Sequence, residues 1–136
     1  AYLGTMVAGF PNLFILQGPN TGLGHSSVIF MMEAQIMHMQ KVIKHMRTKY
    51  YDVIQPTRQA QQRFVDETSK AIQQTVWSLG GCKSWYIDQI ARNSTIWPSF
   101  TFTYRQLASK FKAEDYEGHL AGIPSMNPTP LLHPAK

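Results

Sequence analysis

The sequence predicts a helix-rich α+β fold, with two long helices, a small β element and a third, shorter helix. Apolar residues recur at three- and four-residue steps through two long stretches, the pattern of helices buried along one face. Short apolar runs bounded by Gly, Pro and Asn read as strands. A last periodic stretch follows Trp97-Pro98 and gives way to a region rich in Gly and Pro.

Taken in order, residues 2–8 (YLGTMVA) predict a short strand. Gly9-Phe10-Pro11-Asn12 is a turn, because Gly and Pro punctuate and Asn tolerates turn geometry. Residues 13–17 form a continuous apolar run between turn signals, which predicts a strand buried on both faces. The best helix runs from residue 26 to about 49. Val28, Met32, Ile36, Met39, Ile43 and Met46 make its apolar stripe, and Gln35, His38, Lys41, Lys44 and Arg47 lie largely off it. The methionines read as packing, since Met fills irregular gaps. Residues 50–55 are a connector, and Pro56 with Thr57 starts a second helix over about 58–78. Phe64, Val65, Thr68, Ile72 and Val76 form its stripe, with Gln59, Gln61, Gln62, Gln73 and Gln74 facing water, and Gly80-Gly81 ends it. Residues 82–90 alternate as a strand, 91–93 turn, and 95–98 are extended because a residue before proline avoids the α region. Ser99 caps a third helix over about 100–112, with Phe100, Tyr104, Leu107 and Phe111 on one face. The chain thus divides into residues 1–117 and an irregular tail, 118–136.

A length of 136 residues fits one domain, and 43% hydrophobic content is that of a folded chain. A start at Ala1, straight into apolar sequence, predicts a piece of something larger. The net charge of +5 is a mild excess. Much of it falls on Lys41, Lys44, Arg47 and Lys49, with His38 and His45 among them: a solvated basic helix end that complements the helix dipole. No nucleic-acid-binding motif stands beside it, so no nucleic-acid partner is expected. Cys82 is the only cysteine, which rules out an internal disulfide and fits a cytoplasmic protein. No run approaches the ~18 apolar residues of a membrane span.

The stretch 12–27, NLFILQGPNTGLGHSS, is the one feature shaped for a cofactor. An apolar run leads into a loop with Gly18, Pro19, Gly22 and Gly24, and His25, Ser26 and Ser27 open the long helix. N–H groups at a helix start are unpaired and carry partial positive charge, and glycines let the backbone approach a ligand. The spacing is not the dinucleotide fingerprint G-x-G-x-x-G. His25 stands where loop meets helix; it either supports the loop through hydrogen bonds or faces a ligand. Elsewhere no catalytic set is visible. His25, His38, His45, His119 and His133 show no H-E-x-x-H spacing, so no metal is expected. Asp88 and Arg92 read as an ion pair, Cys82 as a small buried thiol, and Trp85 and Tyr86 as core.

The run YLGTMVAGFPNLFILQGPNTGLGHSS resembles the C-terminal part of the flavin-dependent monooxygenases of the Baeyer–Villiger type, particularly the branch with acetophenone- and cyclohexanone-type enzymes. Met32-Glu33-Ala34-Gln35, then GCKSWYID, then Trp97-Pro98 agree in order, so the resemblance covers about residues 2–117. It implies a parent α/β flavoprotein with two dinucleotide-binding domains, using FAD and NADPH to oxygenate ketone or heteroatom substrates. It implies further that residues 13–17 are a strand of the FAD-domain sheet. Gly18, Pro19, Asn20 and Thr21 would pass beside the flavin, and Gly24, His25 and Ser26 would aim the long helix at its pyrimidine edge. The family's F-x-G-x-x-x-H fingerprint and the upstream region supplying its arginine are absent, so the isolated chain is expected to be inactive and no catalytic residue is assigned. The alternative from another class is a non-catalytic binding or structural module that self-associates through exposed apolar helix faces.

Overall fold

The computed structural model describes residues 1–23, 27–73 and 94–120. The expectations for Val76, Gly80-Gly81, the strand at 82–90, the Asp88–Arg92 pair and the tail beyond 120 lie outside the described residues. In order come α1 (Val28–Thr48), β1 (Val53–Pro56), α2 (Arg58–Gln73), α3 (Thr101–Ser109), a 3₁₀ turn (Ala113–Asp115) and β2 (Tyr116–His119). The described part is therefore helix-rich, with three helices and one two-stranded sheet.

Helix α1 forms where the periodicity puts it, capped by Ser27, whose Oγ accepts from the Phe30 N–H. The buried face is not the one expected. Met31, Ala34, Gln35, His38 and Val42 are buried, whereas Val28, Ile36 and Ile43 are exposed and Met32, Met39 and Met46 half-buried. Polarity misleads because Gln35 and His38 find partners inside: Gly4 and Gln17 for one, Ala108 and Tyr116 for the other. A buried polar group with its hydrogen bonds made carries little penalty.

Residues 2–8 are not a strand. Tyr2–Thr5 is a tight turn with Leu3 at φ 50° and Gly4 at φ 60°, closed by the Thr5 N–H to the Tyr2 carbonyl. Two successive left-handed residues are what a type I′ turn requires. Residues 2–6 are nonetheless all buried. The expected strand at 13–17 is also overturned. Leu13 and Leu16 are exposed, and Ile15 makes one backbone bond, its N–H to the Thr5 carbonyl. Among the described residues no strand lies beside it, and a lone strand leaves its ladder groups unpaired. The turn at 9–12 forms as expected, and Asn12 (φ 60°) pins it to β1 through mutual bonds with Ile54.

The small sheet falls in two places read otherwise. β1 takes residues 53–55 of the supposed connector together with Pro56, expected to start the second helix, and β2 runs through Gly118 and His119 of the supposed tail. They pair antiparallel, with Ile54 opposite Gly118 and Pro56 opposite Tyr116. Four-residue strands carry too little alternation to be seen in sequence. Helix α2 is capped by Thr57, whose Oγ1 accepts from the Ala60 N–H, and buries Phe64, Thr68 and Ile72 as the periodicity requires. Gln61 is half-buried rather than facing water, because its Oε1 accepts from the Ala8 N–H.

Helix α3 is shorter than expected. Its N-cap is Phe100, without a side-chain bond, and Ser99 instead accepts from the Thr103 hydroxyl. Only Tyr104 and Ala108 are buried on it; Phe100 and Leu107 are exposed and Phe111 packs at the edge of the core. Tyr104 is the anchor: fully buried, edge-on to Trp97 at 5.2 Å, its hydroxyl donating to the Leu3 carbonyl at 2.6 Å.

A buried polar network crosses this core. Asp115 accepts from the Tyr2 hydroxyl at 2.6 Å and from Arg63 at 2.5 Å. His38 Nδ1 lies 2.7 Å from the Ala108 carbonyl, an acceptor only, so Nδ1 carries the hydrogen and Nε2 accepts from the Tyr116 hydroxyl at 2.5 Å. Burial holds the His38 ring below its ordinary pKa, against the Ala108 bond that raises it. Burial likewise pushes the Tyr2, Tyr104 and Tyr116 hydroxyls upward, with Asp115 adding to the rise at Tyr2. The unfolded chain protonates His38 at about pH 6.5, while the folded chain resists until lower pH. Stability therefore falls as pH drops through that value. At the alkaline end the unfolded tyrosines ionise at about pH 10 and the folded ones later, so stability falls again as pH rises past 10. Urea midpoints measured across pH should trace a dome with both shoulders; a flat acid limb would contradict the place given to His38.

Candidate functional site

The loop after residue 16 is built against the N-terminal turn. Gln17 sits at φ 55° and Asn20 at φ 60°, two left-handed non-glycine residues within four positions. Gly18 lies so close to Gly4 that an added Cβ would run into the Gly4 carbonyl oxygen. Its missing side chain is already used by the fold. Thr21 is fully buried, and its hydroxyl donates to the Gly18 carbonyl at 2.6 Å, closing the loop on itself. Pro19 is exposed, while Gly18 and Asn20 are half-buried.

The exit of the loop is fixed by residues 94–97; of the run 95–98 expected to be extended, Ile96 is bridged and Thr95 is a bend. The Asn20 N–H donates to the Ser94 carbonyl, the Gly22 N–H to Thr95, and the Trp97 N–H back to Gly22, each at 2.8–2.9 Å. Gly22 and Ile96 form a parallel bridge. The Asn20 side chain adds a bond to the Ile96 carbonyl at 3.3 Å. Of the expected site residues, Gly18, Pro19, Asn20 and Thr21 are thus brought together in one closed loop. Gly24, His25 and Ser26 lie outside the described residues.

Two features of the surroundings suit an anionic or acceptor-rich ligand. The first turn of α1 holds no acidic residue to compete for its N–H groups. Gln17 Nε2 is buried beside the loop with no hydrogen-bond partner among the described residues. A buried donor left unpaired is costly, and a ligand acceptor would satisfy it. The residue missed from sequence is Gln35, read as a polar helix face. Its membership of the Met32-Glu33-Ala34-Gln35 piece was the available signal. Among the described residues no cluster of three His, Cys, Asp or Glu side chains is placed to hold a metal, and no helix is long and apolar enough to cross a membrane. A cavity of about 480 Å³ along Gln40, Ile43 and Arg47, and another of about 390 Å³ along Tyr2, Arg63 and Lys112, have no residue of the loop in their lining.

No family model matches the chain. A Baeyer–Villiger monooxygenase of Pseudomonas aeruginosa is 43% identical over 125 residues, which are 91% of this chain and 23% of that protein. An FAD-binding monooxygenase of Aspergillus niger is 33% identical over 120 residues, 85% of this chain and 20% of the relative. Among solved structures, the cyclohexanone monooxygenase from Rhodococcus sp. Phi1 bound to NADP+ superposes with a TM-score of 0.70 at 22% identity, covering 89% of this chain and 23% of that one. In sequence and in fold the chain is similar to a segment of flavin monooxygenases. More narrowly, it is homologous to a segment of the Baeyer–Villiger monooxygenases, as the resemblance at residues 2–117 implies. It spans about a fifth of the length of the relatives it matches.

Proposed function

We propose that the chain is the C-terminal segment of an FAD- and NADPH-dependent Baeyer–Villiger monooxygenase with two dinucleotide-binding domains, and that it supplies one wall of the FAD site. The observation that carries this is the 43% identity to a Baeyer–Villiger monooxygenase across 91% of the chain. When bound, FAD supplies the oxygen chemistry, drawing electrons from NADPH to oxygenate a ketone or a heteroatom substrate. This chain's part is to bind and orient. Gly18, Pro19, Asn20 and Thr21 present a closed loop, with Gln17 Nε2 as a waiting donor. Gly24, His25 and Ser26 precede α1 in the sequence and would hold the flavin with it, the helix's first N–H groups stabilising negative charge there. The segment runs from residue 1 through β2, which ends at His119, past the boundary expected at 117. The single cysteine, Cys82, agrees with a cytoplasmic protein.

The direct test is to titrate FAD into the 136-residue chain and follow flavin fluorescence, then add NADPH. Saturable quenching without NADPH turnover is expected, because the remaining walls of the site belong to the longer protein. Robust NADPH oxidation by this chain would overturn the claim that it holds only part of the site. Light scattering on the same sample addresses the second reading, self-association, which the exposed Val28, Ile29, Ile36 and Ile43 on α1 favour. A concentration-independent monomer would remove it.

A further inference from the structure

We propose that Gln35 is a positioning residue: its buried amide sets the backbone of Gln17, at the entry to the loop assigned to the flavin. The inference rests on the flavin reading above and deepens it. Gln35 is fully buried on α1, where an amide is tolerated only with its bonds made. Its Oε1 accepts from the Gln17 N–H at 3.1 Å, and its Nε2 donates to the Gly4 carbonyl at 3.3 Å. One side chain therefore ties α1 to the N-terminal turn and to the entry of the loop.

The point it holds is the one that needs holding. Gln17 is a non-glycine residue at φ 55°, a conformation that persists only when surroundings enforce it. In this conformation its own Nε2 is buried without a partner among the described residues, a second cost. The exit of the loop is fixed independently, by the backbone bonds to residues 94–97. Gln35 thus controls the entry alone. It also couples the loop to the helix that begins at Val28, two turns away, so the loop and the positive helix end keep a fixed relation.

The experiment compares the wild-type chain with Gln35→Met and Gln35→Glu. Methionine keeps the volume and removes the hydrogen bonds; a glutamate carboxyl, once protonated, can accept from Gln17 and donate to Gly4 as the amide does. Three quantities are read: FAD affinity by flavin fluorescence, amide exchange at Gln17, and thermal unfolding. Gln35→Met should weaken FAD binding by about tenfold or more, the effect of a lost buried hydrogen bond. It should also speed exchange at Gln17 while Ile54, in β1, stays protected. Gln35→Glu should recover affinity relative to wild type as pH falls from about 8 to about 5.5, because burial favours the neutral carboxyl. A merely structural role would not produce that recovery. Unchanged exchange at Gln17 in Gln35→Met, or no recovery in Gln35→Glu, would overturn the proposal. If Gln35→Met does not fold, the glutamate series decides alone. If the wild-type chain takes up no FAD, the flavin reading fails, and exchange at Gln17 still decides whether Gln35 sets the loop.

Discussion

Replacing Gly4 with Ala is expected to destabilise the chain by about 3 kcal/mol and to lower its melting temperature by about 10 °C. Two costs combine. Gly4 sits at φ 60°, where a Cβ is disfavoured by about 1 kcal/mol. The added methyl would also clash with the Thr21 side chain and stand 2.8 Å from the Pro19 carbonyl. Neither neighbour gives way readily, since Thr21 is fully buried and bonded to Gly18, and Pro19 contributes backbone. Gly9→Ala separates the terms. Gly9 has φ 89° but open space around it, so only the conformational cost remains, about 1 kcal/mol. Thermal unfolding of the two variants should differ accordingly. Because the clash falls on Pro19 and Thr21, Gly4→Ala should also weaken FAD uptake, while Gly9→Ala leaves it unchanged. Equal losses of stability in both variants would show that the Gly4–Thr21 contact is not tight.

Replacing Asp115 with Ala should cost about 2–3 kcal/mol, read as a lowered urea midpoint. Asp115 is 3% exposed and is the common acceptor for Tyr2 and Arg63. Its removal strands the Tyr2 hydroxyl inside the core, and that carries most of the loss. The Arg63 side chain is 46% exposed, so water replaces its lost partner cheaply. The order of effects follows: Asp115→Ala largest, Tyr2→Phe about 1 kcal/mol, Arg63→Ala smaller still. A larger loss in Arg63→Ala than in Tyr2→Phe would reverse the assignment.

The helices were legible because their signals are local. Thr57 and Phe64, Thr68 and Ile72 place α2, and Ser27 opens α1, with no knowledge of the rest of the fold. The orientation of α1 was not legible, because it is decided by partners far away in sequence. Gln35 is bonded to Gly4 and His38 to Tyr116, residues that no periodicity links to them. The N-terminal turn was hidden for a related reason: Leu3 is a non-glycine residue held left-handed by tertiary contacts. At the site, the glycines and the polar helix opening marked the loop, and the family resemblance named a ligand for it. What sequence did not show is that Gly18 and Gly4 interlock, or that Gln35 governs the loop's entry.

The bonds from Tyr2 to Asp115 and from Tyr104 to Leu3 close spans of 113 and 101 residues. Contacts of such range are slow to form, because the chain's closure entropy must be met before they return anything. During synthesis, residues 2–6 precede Tyr104 and Asp115 by about 100 residues, so the bonds of this turn to Asp115 and Tyr104 wait until those residues are made. Aggregation pressure on this protein falls on that interval, so folding helpers that shield Tyr2, Leu3 and Met6 act at the moment of greatest exposure.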